Sequence, residues 1–266
     1  MPLIHRITAF EDNYIWLIVD PAKRQAVVVD PGDAGPVQTI LNAERLTLDT
    51  ILVTHKHADH VGGIPALLES SPRARVYGPA DETIPGRSHR VREGDLIELS
   101  SVDMILEVID VRGHTEGHVA YYAAARAGSP PLVFCGDALF AGGCGRVFTG
   151  NYRAQAESLM KLAALPPETR VYCAHEYTAD NLGFAAWVEP DNPALHKRIA
   201  AVNDARARGE ATVPSTIADE LATNPFLRLA EPAVLDSIDR WSGQRPVHAT
   251  DAFAALRRWK DEDYDR

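Results

Sequence analysis

Short apolar runs broken by Gly, Pro and Asp set the rhythm of the first two thirds of the chain. Ile15-Trp16-Leu17-Ile18-Val19, then Ala26-Val27-Val28-Val29 closed by Asp30-Pro31-Gly32, then Ile51-Leu52-Val53 predict buried strands. Similar runs recur at Ile105 to Val111, Leu132 to Gly136 and Val171 to Ala174. Helical stretches intervene at about 36–43 and 63–68. A third is expected over 152–165, with Asn151 as its cap and Pro166 as its stop. Alternating strands and helices predict a layered α/β domain over 1–174. From 175 to 266 the strand signals fade, and 193–208, 216–222 and 250–260 predict a mainly helical second domain. Thr250 is the expected cap of the last helix, with Asp251 at its positive end. Residues 261–266 are expected to form a solvated end.

The candidate chemistry lies just beyond the strands. Thr54-His55-Lys56-His57-Ala58-Asp59-His60 follows an apolar run and holds three imidazoles and a carboxylate within six positions. An extended segment turns His55 and His57 to the same side, so one ion can take both. A turn after His57 aims Asp59 and His60 at a second ion. His114, Asp137 and His175 each follow a predicted strand as well, and ligands at strand ends can converge from distant positions on one sheet edge.

Composition narrows the partners. The 266 residues carry 27 Lys and Arg against 37 Asp and Glu, a net charge of −10, which disfavours nucleic acid and anionic lipid. Hydrophobic residues at 45% and charged residues at 24% suit a globular protein. The start lacks the pattern of a secretory signal, and no apolar run reaches spanning length. A monomeric cytoplasmic protein is the expectation. Cys135, Cys144 and Cys173 are too sparse for a disulfide framework. Cys135 and Cys173, two residues before Asp137 and His175, read as strand fillers and not as ligands.

The chain resembles the metallo-β-lactamase superfamily and, within it, the glyoxalase II family of hydroxyacylglutathione hydrolases. The matching segments are Asp12-Asn13-Tyr14, Thr54 to His60, Gly113 to His118, Gly136-Asp137, Gly142 to Arg146, His175 to Thr178 and Asn224 to Arg228. The resemblance implies a four-layer αββα sandwich with a helical carboxyl-terminal domain. It also implies two divalent metal ions: His55, His57 and His114 on one, Asp59, His60 and His175 on the other, and Asp137 bridging. Histidine and carboxylate donors without thiolate suit zinc, named first, and also iron or manganese.

The implied reaction is hydrolysis of S-(2-hydroxyacyl)glutathione, typically S-D-lactoylglutathione, with Asp59 and Asp137 as catalytic carboxylates. A thiol leaving group has a free pKa of about 8.5 and can depart without a general acid, which suits a thioester better than an amide. Arg257 and Lys260 are three apart, so they share a helix face. The resemblance assigns them, with Arg146 and Tyr177, to the glutathione moiety. Phe148 stands where some relatives carry a tyrosine, so a hydroxyl contact is expected to be lost there. His118 reads as a supporting residue, and Arg228 as an organiser of the helical domain. An iron-dependent glutathione persulfide dioxygenase and a noncatalytic glutathione-binding module are the alternatives. The first would hold a single iron, and the second is disfavoured because all seven ligand positions are filled.

Overall fold

The computed structural model describes residues 2–126 and 128–265. The chain divides into two units, one holding 1–110 and 115–136, the other 111–114 and 137–266. In the first unit, β1 (Leu3–Ala9), β2 (Asn13–Asp20) and β3 (Gln25–Val29) pair antiparallel in succession. After α1 (Ala34–Glu44), β4 (Thr47–Leu52) joins β3 in parallel. Beyond the one-turn α2 (Ala58–Val61) and α3 (Ile64–Ser70), β5 (Arg75–Pro79) and β6 (His89–Val91) extend the same sheet in parallel. A second, antiparallel run follows in the spatial order β10-β9-β8-β7, from β7 (Leu96–Leu99), β8 (Met104–Asp110), β9 (Val119–Ala123) and β10 (Leu132–Gly136).

The apolar runs fall inside these strands because both faces of the inner ones are covered. β2 is buried along almost its whole length, whereas β8 alternates over its first half, the period-2 pattern of a strand with one wet face. Leu17, Val28 and Ile51 pack with Val37 and Leu41 of α1 and Ile64 and Leu67 of α3 in one core. Each fully buried aliphatic side chain there contributes roughly 1.5–3 kcal/mol. α1 begins two residues before the expected Pro36, because the Asp33 side chain accepts from the Gly35 amide and caps the helix at Ala34.

The second unit opens with the short antiparallel pair β11 (Leu139–Phe140) and β12 (Gly143–Cys144). It continues with α4 (Tyr152–Ala163), capped by Asn151 as expected, and β13 (Arg170–Cys173). Helices α5 (Thr178–Val188) and α6 (Pro193–Ala207) lead to β14 (Ser215–Thr216), which pairs antiparallel with β13. α7 (Ile217–Thr223) starts in a capping box of Thr216 and Asp219. A 3-10 turn at Pro225–Leu227, α8 (Pro232–Ser242) and α9 (Ala249–Trp259) complete the helices.

Three expectations need correction. Thr250 is not a cap: α9 starts after His248, whose backbone is extended (φ −115°, ψ 151°), which puts Thr250 inside the first turn. The runs at α5 and α8 carried no helix in the sequence reading. α5 is buried on several sides, at Thr178, Asn181, Leu182, Phe184, Ala185 and Val188, so no single apolar stripe marks it. The end is solvated at Glu262 and Asp263 as expected, but it is folded as far as Asp265, with Lys260–Tyr264 continuing α9 as a π-helical turn. Among the described residues no helix is long and apolar enough to cross a membrane.

Candidate metal centre

In the first unit, β4 ends at Leu52, the chain bends at Thr54, and His57 is extended before α2 turns it. That break puts His55, His57, Asp59 and His60 on one short bend. Asp30, at the end of β3, organises it from behind. Its Oδ1 accepts from the Thr54 amide at 2.8 Å, and its Oδ2 accepts from Thr54 Oγ1 at 2.7 Å and from His60 Nδ1 at 3.0 Å. Because the Thr54 hydroxyl gives its only proton to Asp30, it accepts from His55 Nδ1 at 3.1 Å. Both rings therefore keep Nε2 as the lone-pair nitrogen. A metal-binding imidazole needs that lone pair, and an acceptor on the other nitrogen holds the tautomer. His55 Nε2 lies 3.0 Å from His57 Nδ1. Asn13 Nδ2 donates to Asp59 Oδ2 at 2.9 Å and fixes that carboxylate. Gly32 makes the fit possible: a Cβ there would stand 1.8 Å from the Asp59 carbonyl oxygen. His118 supports from the side, with its ring stacked on His55 at 4.5 Å.

In the second unit, His114 Nδ1 faces the Arg146 carbonyl oxygen at 2.8 Å, so it donates there and presents Nε2. Asp137 offers one carboxylate oxygen to each of two histidines: Oδ2 lies 3.5 Å from His114 Nε2, and Oδ1 lies 3.5 Å from His175 Nε2. The close approach needs Gly145, where a Cβ would stand 2.1 Å from the Asp137 carbonyl oxygen and 2.9 Å from His114 Nδ1. His175 stacks on Tyr177 at 4.7 Å, and Phe140 meets both rings edge-on. Phe148 sits edge-on to His114 at 5.3 Å.

Each unit thus gathers ligand-type atoms of its own: His55, His57, Asp59 and His60 in the first, His114, Asp137 and His175 in the second. The His60 Nε2–Asp59 Oδ2 separation is again 3.5 Å. Such spacings are long for direct charge-assisted hydrogen bonds. They match the edge of a coordination tetrahedron, about 3.4 Å for bonds of about 2.0–2.2 Å. The donor set is nitrogen and carboxylate oxygen. The cysteines are buried, and burial pushes the Cys144 thiol up to about 11 and the Cys173 thiol to about 12. The Cys144 and Cys173 thiols therefore stay protonated at neutral pH, which suits packing residues.

The substrate-side candidates lie on the second unit too. Arg257 is almost fully buried and donates to the Cys144 carbonyl oxygen at 3.1 Å and to Asp261 at 2.8 Å. Lys260, also buried, bonds Asp180 at 3.0 Å and Asp265 at 2.7 Å. Arg146 is exposed and reaches Asp265 at 3.1 Å. Arg228 grips Glu189 through two bonds of 2.7 and 3.0 Å and donates to the Leu221 carbonyl, the organising role expected of it. The residues that sequence reasoning missed are Asp30, Thr54 and Asn13 as supports of ligands. The available signals were Asn13 and Thr54 inside segments that match the family and Asp30 closing an apolar run.

Residues 9–175 match the family model of the metallo-beta-lactamase superfamily, and residues 176–263 match that of the hydroxyacylglutathione hydrolase C-terminus. A hydroxyacylglutathione hydrolase of Alkalilimnicola ehrlichii is 55% identical over 98% of this chain and 100% of its own length. The crystal structure of ETHE1 from Myxococcus xanthus superposes with a TM-score of 0.64 at 27% identity, covering 96% of this chain and 98% of that one. A protein solved in a di-iron-bound form aligns with a TM-score of 0.50 at 31% identity, over 66% of this chain and 91% of that one.

Proposed function

The chain belongs to the hydroxyacylglutathione hydrolase family of the metallo-beta-lactamase superfamily, and from that membership we propose which of its residues perform the family's reaction. The protein is a thioester hydrolase with the metallo-beta-lactamase αββα fold and a helical carboxyl-terminal region. It cleaves S-(2-hydroxyacyl)glutathione, S-D-lactoylglutathione being the reference substrate, to glutathione and the hydroxy acid.

The observation that carries the site assignment is Asp137, with one oxygen toward His114 and the other toward His175 at equal distances of 3.5 Å. A carboxylate so divided suits a bridge between two ions. His55, His57 and His114 would hold the first ion, and Asp59, His60 and His175 the second. Two divalent ions held there would lower the pKa of a bound water toward about 7 and would stabilise charge on the carbonyl oxygen. Asp59, steadied by Asn13, orients the attacking water, while the acceptors behind His55, His60 and His114 keep the ligand nitrogens unprotonated. The leaving thiol departs as thiolate and needs no acid from the protein. Arg146, Tyr177, Arg257 and Lys260 receive the glutathione part, and Phe148 adds ring packing without a hydroxyl.

Zinc is the first choice of metal. The nitrogen and oxygen donor set also suits iron or manganese, and the similar protein in di-iron form supports that range. We assign 1–174 as the catalytic domain and 175–266 as the helical substrate-binding domain, with His175 lent to the metal site and Arg146 to the substrate. One chain carries every group named, so a monomer suffices, and three buried free thiols suit the reducing cytoplasm. The persulfide dioxygenase reading draws on the likeness to ETHE1, and the match of 176–263 to the hydrolase C-terminus weighs against it.

The test is steady-state hydrolysis of S-D-lactoylglutathione by protein of measured metal content, beside His57→Ala and Lys260→Ala. His57→Ala should lose turnover, and Lys260→Ala should mainly raise KM. Two metals per chain are expected. A single iron, or fully metallated protein without thioesterase activity, overturns the assignment.

A further inference from the structure

The cations assigned to the glutathione moiety already share a carboxylate supplied by the chain. Arg146 lies 3.1 Å from Asp265 Oδ2, Arg257 lies 3.4 Å from the same oxygen, and Lys260 lies 2.7 Å from Oδ1. Asp180 and Asp261 also enter this cluster. Asp180 pairs with Lys260 at 3.0 Å, and Asp261 pairs with Arg257 at 2.8 Å and more loosely with Arg146 at 3.6 Å. Among the described residues, Asp265 is the carboxylate in contact with all three cations. Its side chain is 14% exposed, against 31% for Asp261 and 59% for Asp180.

The charges count the same way. Three cations face three carboxylates, so the cluster with Asp265 in place is neutral. With Asp265 withdrawn it has a surplus of one positive charge, which is the charge one incoming carboxylate neutralises. Burial works to raise the Asp265 pKa, but its bonds to Lys260 and Arg146 and the nearby Arg257 outweigh that and hold it below 3.8. It is an anion at every working pH.

The segment that carries it is docked by identifiable contacts. The Asp265 amide donates to the Lys260 carbonyl oxygen at 2.9 Å. Tyr264 Oη donates to the Asp180 carbonyl oxygen at 2.9 Å, over Gly183, where a Cβ would stand 2.2 Å from that hydroxyl. Trp187 and Phe184 meet the Tyr264 ring edge-on at 5.0 and 5.5 Å. The turn is thus seated on α5, and its carboxylate points into the cation cluster.

We propose that Asp265 is an internal competitor for the anion subsite formed by Arg146, Arg257 and Lys260, and that its release sets this chain's affinity for substrates carrying a glutathione carboxylate. The inference rests on the assignment of those three cations to glutathione. A segment docked about 90% of the time leaves one tenth of the molecules competent, which raises the apparent dissociation constant about tenfold.

Asp265→Asn keeps the shape and removes the charge. On metal-loaded full-length protein, its KM for S-D-lactoylglutathione should fall about tenfold. With the glycine amide of the same thioester, which lacks the competing carboxylate, KM should change by less than about twofold. An unchanged or raised KM overturns the proposal, and so does an equal fall with acid and amide, which would mark a structural effect. If neither protein hydrolyses the thioester, the functional assignment fails by itself. The glutathione dissociation constant by calorimetry then decides the competitor: a tenfold tightening in Asp265→Asn supports it, and no tightening overturns it.

Discussion

Replacing Asp30 with Asn isolates the chemistry that holds the first ligand group in its metal-binding tautomer. Asp30 adopts a left-handed backbone conformation (φ 51°), which Asn tolerates about as well as Asp, so the exchange adds little strain. What changes is the pattern of donors and acceptors. The carboxylate accepts three hydrogen bonds, from the Thr54 amide, Thr54 Oγ1 and His60 Nδ1. An amide has one oxygen, so its NH2 must face either the Thr54 N–H or the Thr54 hydroxyl and His60. In the first arrangement two donors oppose each other in a buried site. In the second, His60 must accept at Nδ1 and carry its proton on Nε2, which removes the lone pair a metal needs. Loss of a group that orients a ligand weakens metal binding about 10- to 100-fold, roughly 1.4–2.8 kcal/mol. Hydrogen bonds to a charged acceptor contribute about 1.5–3 kcal/mol each against about 0.5–1.5 for neutral ones, so the metal-free protein should lose about 3 kcal/mol. Chelator competition with metal quantification reads the first effect, and denaturant unfolding of the metal-free protein reads the second. Asp30→Asn with both metals bound within threefold of the parent affinity would refute the tautomer argument.

Three further outcomes follow from the packing and the ion pairs. Cys135, Cys144 and Cys173 are buried, with two thiols raised to about 11 and 12. The native protein should therefore leave a disulfide reagent unreacted at pH 8 and titrate three thiols once unfolded; fast native labelling would contradict that burial. Leu17→Ala, at a fully buried position of β2, should cost about 2–5 kcal/mol in denaturant unfolding; a loss under about 1 kcal/mol would mean the core relaxes around the cavity. The Asp49 carboxyl lies below 3.8: burial pushes it up, but hydrogen bonds from Thr50, Arg75 and Ser101 outweigh that. Its stabilisation is complete above the unfolded carboxylate pKa and is lost as pH falls through the lower folded value. Asp49→Asn should therefore flatten the acid limb of the stability profile below about pH 4, and an unchanged limb would remove Asp49 as a contributor.

How much of this was legible in sequence depended on the range of the interaction. Strands β2, β3 and β10 and the Asn151 cap follow from neighbours a few residues apart, where apolar run length and capping chemistry are read directly. The candidate ligands are legible for the same reason, since metal chemistry demands scarce residue types at strand ends. Helix α5 escaped because it is buried on several sides and shows no stripe. Asp30 and Asn13 escaped as supports because their partners lie 24 to 46 residues away.

The sequence by itself supplied the inventory: which nitrogens and oxygens could bind metal, and, through the family resemblance, that Arg146, Arg257 and Lys260 are the cations to offer an anion. Tertiary structure decided which nitrogen of each imidazole faces inward, and that the three cations converge on Asp265. Residue identity and spacing are local properties of the chain. The orientation of a ring and the neutralisation of a charge depend on groups that only folding brings within hydrogen-bond range.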